Sequence, residues 1–156
     1  MPRAAPDDIL IVIHELAHLM RIRFDQRARQ HDMTRAQWVI LYKLDRSPGL
    51  TQNELAAMIE VEPITIARLI DRLEAKGLVE RRHDPSDRRV WRLHLLPAAE
   101  PMLEEIAAVR QDMLELLLGD TVSPEKAAAA EATLRLMKSN LTADGRSCPA
   151  PAAKAS

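Results

Sequence analysis

The chain has 156 residues, of which 47% are hydrophobic and 29% are charged, and its formal net charge is -1. These values are typical of one globular domain, or of two small lobes that share a core. Only 3% of the residues are aromatic, so the core must be aliphatic, which favours packed helices over a β-sandwich or barrel.

The sequence predicts a soluble, cytoplasmic protein. Cys148 is the single cysteine, so an intrachain disulfide is excluded and a reducing compartment is indicated. The N-terminal run MPRAAPDDILIVIHEL is interrupted by charged residues and does not resemble a signal peptide. No stretch approaches the roughly 18 apolar residues that a membrane span requires.

Charge is unevenly distributed along the chain. Residues 62–92 carry eight basic and six acidic side chains, whereas residues 93–156 carry six basic and nine acidic ones. Five arginines lie between Arg81 and Arg92. An anionic partner is therefore expected to meet the middle of the chain.

The first two predicted elements are helices. Apolar residues recur at three-to-four spacing over residues 7–30, and the acidic pair Asp7 and Asp8 suits the N-terminus of that helix. A second helix is predicted from the cap residue Thr34 to about Arg46, where a Ser-Pro-Gly sequence stops it.

Two shorter helices and a tight turn follow. Thr51 and Glu54 form a capping-box pattern that opens a helix ending near Ile59. Pro63 suits the first position of the next helix, which Gly77 ends. The expected inward residues of this helix are Ile66, Ala67, Ile70 and Leu73. The expected outward residues are Thr65, Arg68, Leu69, Asp71, Arg72, Ala75 and Lys76.

The next pattern is a β-hairpin. The extended segments LVERR (78–82) and VWRLHLL (90–96) are joined by the turn HDPSDR, and Pro97 ends the second strand. In that strand Trp91 and Leu93 share one face with Leu95. Two more helices are predicted, over residues 98–118 and 124–141, while residues 1–6 and 142–156 are predicted to be disordered.

This order of elements predicts a mainly α fold, α-α-α-α-β-β-α-α, in which a helix-turn-helix precedes a two-stranded wing. Residues 34–97 would form a DNA-binding domain. The outer segments, 7–33 and 98–141, are long and apolar, and they would bury their stripes best against a second copy. We therefore expect them to form the dimerisation region of a homodimer.

Double-stranded DNA is the partner that the arginines indicate. Arg68 lies near the start of the second helix of the motif, where arginine can bond bidentately to guanine. Arg88 at the hairpin tip is placed for a narrow minor groove. The alternatives are a solvated helix face, on which Arg68 and Arg72 pair with carboxylates, and a self-neutralising turn. Asp84 and Asp87 are expected to brace the tip by pairing with an arginine.

These motifs resemble the MarR family of bacterial regulators, particularly its SlyA-like branch. The resemblance is carried by LIDRLEAKGLVERR, DPSDRR and LLPAAEPMLEEI, together with the stretch from Thr34 to Tyr42. It implies a dimeric winged-helix repressor or activator that binds pseudo-palindromic operators. Leu96-Pro97 departs from the Leu-Thr that commonly caps the following helix, so a looser helix start is expected.

Individual roles follow from the resemblance. Arg68 matches a base or phosphate contact, Arg88 matches the minor-groove arginine, and Asp87 matches the acid that holds the loop of that arginine. The complete set of predicted DNA-binding residues is Pro63, Thr65, Arg68, Arg72, Arg82, Asp87, Arg88 and Arg89.

The resemblance also implies a small-molecule effector, because regulators of this family commonly bind aromatic carboxylates or phenolics. The matching positions are His18, Arg21, Trp38 and Tyr42. They supply a cation for a carboxylate and rings for stacking, with apolar walls expected from Met20 and Leu41. Alternatively, Trp38 and Tyr42 are core residues and Arg21 is a surface charge.

Other chemistries have weaker support. His14 and His18 are one helical turn apart, but two ligands are too few for a metal site, so no metal or cofactor is predicted. Cys148 has no positive surroundings that would activate it. The sequence contains no phosphate-binding glycine loop, HExxH motif or nucleophile elbow, so no enzyme is predicted. A winged helix that serves only as a protein-interaction module, without ligand sensing, is the alternative function.

Overall fold

A computed structural model describes residues 7–143, which form six α-helices, a short 3₁₀ helix and a two-stranded sheet. In chain order the elements are α1 (Asp7–Gln30), α2 (Arg35–Arg46), α3 (Gln52–Ile59), α4 (Pro63–Ala75), β1 (Val79–His83), β2 (Trp91–Leu95), the 3₁₀ helix (Pro97–Ala99), α5 (Glu100–Leu118) and α6 (Pro124–Ala143). This order and the antiparallel hairpin confirm the predicted mainly α, winged helix-turn-helix fold.

Reciprocal caps fix the starts of α2 and α3. The Thr34 hydroxyl accepts the backbone N–H of Gln37 at 3.3 Å, and the Gln37 side chain accepts the backbone N–H of Thr34 at 2.9 Å. Thr51 and Glu54 make the same pair of bonds, at 3.2 and 2.8 Å. The backbone N–H of Thr51 also holds the pKa of the Glu54 carboxyl below its ordinary value. Four otherwise unsatisfied backbone donors are bonded in this way.

The core of the lobe is aliphatic, as the composition predicts. The largest completely buried side chains come from α2, α3, α4 and both strands; they are Ile40, Leu41, Leu44, Leu55, Ile66, Ile70, Leu73, Leu93 and Val79. Leu69 was expected to face outward but is only 8% exposed. The buried arc of α4 is wider than the expected stripe because Leu69 also joins the core cluster.

The two strands pair antiparallel, with Val79 opposite Leu95 and His83 opposite Trp91. β1 begins and ends one residue later than the pattern predicts, at Val79–His83. β2 is one residue shorter at each end, at Trp91–Leu95. Leu93 is completely buried, whereas Trp91, on the same face of the strand, is 47% exposed. The difference arises because Trp91 lies at the far end of the hairpin, next to the turn.

The Leu96-Pro97 sequence has the expected effect on the next helix. Leu96 provides no side-chain cap, and a 3₁₀ turn over Pro97–Ala99 precedes α5, which begins at Glu100. At the other end of the chain α6 continues to Ala143, so residues 142 and 143 are helical. Cys148 and the remaining residues that were expected to be disordered, 1–6 and 144–156, lie outside the described residues.

The chain divides into two compact units after Met113. In the first unit, most apolar side chains of α1 are exposed; the large ones are Ile9, Leu10, Ile11, Val12, Ile13, Leu16, Leu19 and Ile22. In the second unit, the α6 residues Leu134, Leu136 and Leu141 are exposed as well. Within residues 7–143, no helix has the length and hydropathy of a membrane span.

Candidate nucleic-acid interface and ligand cavity

The outer face of α4 presents polar side chains that are free to bind a partner. Thr65, Arg68 and Arg72 are exposed, while Ile66 and Ile70 on the opposite face are completely buried. Arg68 and Arg72 are four residues apart and therefore project from the same side of the helix. Within residues 7–143 neither guanidinium pairs with a carboxylate, so the alternative of intrachain neutralisation does not apply to them.

Pro63 begins α4 and is exposed. Its ring lacks an N–H, which costs nothing at a position where the helix has no acceptor for that donor. The preceding turn is tight: Glu60 has a left-handed backbone, with φ of 54°, and the N–H of Val61 donates to the carbonyl of Ala56 at 3.1 Å. This geometry sets the start of α4 directly after α3.

We define the wing as residues 79–95. Asp84 organises the tip of this wing. Its side chain is buried, and one carboxylate oxygen accepts the backbone N–H of Ser86 at 2.7 Å, the Ser86 hydroxyl at 2.6 Å and the N–H of Asp87 at 3.2 Å. The other oxygen accepts a hydrogen bond from Nε of Arg92. The Ser86 hydroxyl, followed by the Arg92 guanidinium, lowers the pKa of Asp84 well below its usual range.

Asp87 holds the turn through the backbone and not, as had been expected, by pairing with an arginine side chain. Its carboxylate accepts the backbone N–H of Arg89 at 3.0 Å, and its carbonyl accepts the N–H of Val90 at 3.0 Å. Both bonds close the turn through the backbone, and no arginine side chain in the described part of the chain pairs with Asp87. Of the two acids expected to brace the tip through an arginine, Asp84 alone does so.

Arg92 connects the wing tip to the segment between α2 and α3. While Nε binds Asp84, Nη1 donates to the carbonyl oxygen of Gly49 at 2.8 Å. The bond to Asp84 raises the pKa of Arg92, which keeps the guanidinium charged. Two backbone bonds strengthen the connection: Gly49 donates to Leu93 at 3.0 Å, and Leu93 donates to Leu50 at 2.9 Å.

Arg81 connects the base of the wing to both helices of the motif. Its Nε donates to the Gln52 side chain at 2.9 Å, and Nη2 donates to Asp71 at 2.8 Å. Glu74 accepts both the backbone N–H and Nη1 of Arg81. Three N–H donors of the guanidinium therefore hold β1 against α3 and α4.

The five wing arginines therefore fall into two groups. Arg81, Arg82 and Arg92 each pair with a carboxylate, that of Arg82 being Glu80 on the same strand. Arg88 and Arg89 lie exposed at the tip, and their guanidinium groups contact no acid among residues 7–143. Two unpaired cations therefore remain where the hairpin turns.

A ring pair next to the tip was not anticipated from the sequence. The imidazole of His83 and the indole of Trp91 lie 3.7 Å apart between centroids, tilted by 30°. The two residues are direct cross-strand partners, so the hairpin register brings them together. The sequence signal that could have predicted this pair is that His83 and Trp91 lie on opposite sides of the tip of the predicted turn.

A second candidate site is a cavity of about 320 Å³ between α1, α2 and α5. It is lined by Ala17, Met20, Arg21, Phe24, Arg35, Trp38, Val39, Tyr42, Ile106 and Arg110. The cavity brings together Arg21, Trp38 and Tyr42, although Trp38 also lies in the buried core and Arg21 is exposed, as the alternative expects. His18 and Leu41 do not line the cavity, because His18 points about 100° away from the face of Ala17 and Leu41 is completely buried.

Three cations surround this apolar cavity: Arg21, Arg35 and Arg110. Arg35 is held by Asp25 at 3.2 Å, and the guanidinium of Arg110 lies 4.5 Å from the ring centre of Tyr42. The buried Nε1–H of Trp38 has no acceptor in the described part of the chain. Arg110 was missed because it lies on another helix, α5, and gives no signal in the local pattern. Arg35 was missed although it lies one turn before Trp38 on the same face of α2, where the helical spacing could have indicated it.

Comparison with known proteins identifies the relatives of this chain. The MarR family model matches residues 33–91. A crystal structure of MarR is 30% identical, with a TM-score of 0.74, and the match covers 93% of this chain and 97% of that one. The regulator SlyA is 26% identical, with a TM-score of 0.77 and coverage of 88% and 96%.

A third structure is a point mutant of MepR from S. aureus bound to an oligodeoxyribonucleotide. It is 27% identical to this chain, with a TM-score of 0.58, and the match covers 85% of this chain and 97% of that one. Sequence identity, coverage and the observed fold agree. The chain belongs to the MarR family of winged helix-turn-helix transcriptional regulators.

Proposed function

We propose that this regulator binds pseudo-palindromic operator DNA as a homodimer. The observation that supports the proposal is that the arginines fall into two groups. Arg68 on α4 and Arg88 at the wing tip pair with no acid in the described part of the chain, while Arg81 and Arg92 hold the wing in place. Free guanidinium groups on a helix and on an adjoining hairpin suit a major groove and the neighbouring minor groove, respectively.

In this proposal residues 34–97 act as the DNA-binding domain and the segments 7–33 and 98–141 as the dimerisation region. The exposed aliphatic residues of α1 are too many for scattered surface positions, and a second copy would remove them from water. To enter successive major grooves, two copies related by a twofold axis must hold their α4 helices about 34 Å apart, which is one turn of B-DNA.

The experiment that tests this proposal measures the mass of the protein in solution and its affinity for DNA. Light scattering at micromolar concentration should give twice the chain mass, and operator fragments selected from a random duplex library should bind with a steep dependence on salt. Each phosphate contact should contribute about -0.9 to the slope of log K against log salt. A monomer, or a protein that ignores duplexes in dilute buffer, contradicts the proposal. A shallow salt slope would favour the protein-interaction module instead.

Residue roles are tested by single replacements. Arg88→Ala should weaken operator binding by about 5- to 150-fold, equivalent to roughly 1–3 kcal/mol for a good groove contact. Arg82→Ala provides a matched control within the wing, because Arg82 is already paired with Glu80 and should contribute less. Equal losses for the two variants would remove the distinction between free and paired arginines.

We further propose that the cavity binds a small aromatic carboxylate or phenol that modulates DNA binding. The apolar walls, the ring of Tyr42 and the cations Arg21 and Arg110 suit the ring and the charge of such a ligand. The ligand changes DNA affinity only if it prefers one spacing of the α4 helices to another.

Fluorescence of Trp38 in a Trp91→Phe background provides the test, with salicylate and related acids as probes. A saturable change is expected, and it should weaken at least tenfold in Arg110→Ala if that cation meets the carboxylate. His18→Ala is the control, because His18 does not line the cavity. A panel without any saturable response contradicts the effector proposal and leaves the DNA-binding proposal intact.

A further inference from the structure

Ile64 is an unusual residue on the outer face of α4. It is the second residue of the helix and is 65% exposed, more than any other large apolar side chain between residues 34 and 97. Leaving an isoleucine side chain in water forgoes about 1.5–3 kcal/mol of burial. A surface that meets a partner at this point would recover part of that free energy.

The orientation of Ile64 excludes a role in the core. Because successive residues of an α-helix are about 100° apart, Ile64 points about 160° away from the buried Ile66 and only about 40° from Arg68. Ile64 and Arg68 therefore project together, on the side of α4 opposite to the core. The residue that follows Ile64 is the exposed Thr65.

We propose that Ile64 contacts the C5-methyl group of a thymine in each operator half-site and thereby helps to determine the operator sequence. This inference rests on the proposed binding of operator DNA. The first turn of such a helix is the part that reaches base edges in the major groove. The thymine methyl is the apolar group that a base pair presents there, and an aliphatic side chain is its natural partner.

The neighbours of Ile64 favour this partner over a protein surface. Protein interfaces are marked by contiguous apolar patches. Thr65 and Arg68, which are exposed beside Ile64 on the helix, are instead suited to hydrogen bonding with base edges or phosphates. One apolar side chain beside a hydroxyl and a guanidinium matches the mixed surface of a major groove that contains a thymine.

The experiment replaces thymines by deoxyuridines, one position at a time and symmetrically in both half-sites of a selected operator. Uracil lacks the methyl group but keeps the same hydrogen-bonding edge. At one thymine position the wild-type protein should lose about fourfold in affinity per half-site, and about 15-fold for the symmetric pair. Replacements at the other positions should have smaller effects.

The variant Ile64→Ala should bind the thymine operator more weakly than the wild type and should lose its discrimination at that position alone. Ile64→Val, which keeps a branched side chain, should retain most of the discrimination. Met58→Ala is the matched control, since it shortens an exposed apolar side chain on α3 that belongs neither to the proposed DNA contacts nor to the dimerisation region. Because Ile64 is exposed, Ile64→Ala should melt within a few degrees of the wild type.

The outcomes separate the two proposals. If the wild type binds an operator but tolerates uracil at every position, or if Ile64→Ala keeps the full thymine preference, the role of Ile64 is overturned and operator binding stands. A selected operator that requires no thymine in its half-sites also overturns the role. If the wild type binds no duplex at all, both proposals fail.

Discussion

Replacement of Asp84 by alanine should weaken operator binding, although it removes a negative charge from a DNA-binding surface. The carboxylate accepts four hydrogen bonds, from the backbone and hydroxyl of Ser86, from the backbone of Asp87 and from Arg92. Without these bonds the turn that carries Arg88 depends on the Asp87 contacts and on the backbone bond from Asp84 to Val90, and Arg92 loses the acid that orients it toward Gly49. The wing tip is then less ordered in the free protein, and ordering it at the moment of binding costs free energy that weakens the affinity.

Two opposing effects decide the magnitude. At about 10 Å from a phosphate, one carboxylate repels it by roughly 0.4 kcal/mol in water, and 0.1 M salt reduces this further. Removing the charge therefore tightens binding by about twofold at most. Losing the groove contact of Arg88 costs about 5- to 150-fold. The loss is the larger effect, and after the twofold offset we expect a net weakening of about 2- to 75-fold.

A double-mutant cycle tests the mechanism. Fluorescence anisotropy with a labelled operator at fixed salt gives the affinities of the wild type, Asp84→Ala, Arg88→Ala and the double variant. Since Asp84 is proposed to act through Arg88, the second replacement should change affinity by less than about twofold once Arg88 is absent. Asp45→Ala, which removes an exposed acid outside the wing, is the control and should have little effect.

The direction of the change is itself decisive. If Asp84 were only an anion near the DNA, its removal would tighten binding, and that result would refute the account of the wing given above. Additive losses in the cycle would be equally damaging, because they would show that Asp84 and Arg88 act independently.

Three further predictions concern stability and titration. Leu73→Ala should lower the free energy of unfolding by about 2–5 kcal/mol in urea melts at matched protein concentration, because the side chain is completely buried; a loss below 1 kcal/mol would contradict its place in the core. Gly77→Ala should cost about 1–2 kcal/mol by thermal melting, since φ is +70° and no side chain obstructs the new methyl; an unchanged melting temperature would mean that another backbone conformation is accessible. Because its folded-state pKa is lowered, Asp84 stabilises the wing fully above the unfolded value of about 3.9 and loses this contribution as pH falls through the folded value. The Asp84 carboxyl signal in NMR should therefore remain that of the ionised form at pH 4, and half-protonation at that pH would be inconsistent with its four donors.

Local chemistry explains why most of the fold was predictable from the sequence. The Thr51–Glu54 cap, Pro63 at a helix start and Gly77 at a helix end act within a few residues, so the pattern contains the information. Leu69 differs because its burial depends on how α4 is enclosed by other elements. A helical pattern sets the direction of a side chain, but only tertiary contacts set the width of the buried arc.

The candidate sites were less predictable for the same reason. Asp84 and Asp87 stand on either side of the same proline-containing turn, and the sequence does not distinguish which acid enters the turn and meets Arg92. The cavity shows the effect more strongly, since Arg110 reaches Tyr42 from a helix that begins almost 60 residues later in the chain. No local pattern connects two positions of that kind.

Finally, the near-neutral charge of the chain is compatible with DNA binding because its acids are placed to neutralise particular cations. Asp71 and Glu74 lie on α4, where unpaired carboxylates would repel a phosphate backbone, yet both are paired with Arg81. Arg81 thus supports the interface without being free to contact DNA. In the proposed complex, the charge that a duplex would meet is set by Arg68, Arg88 and the other cations that have no acidic partner among residues 7–143, and it is not given by the sum over the sequence.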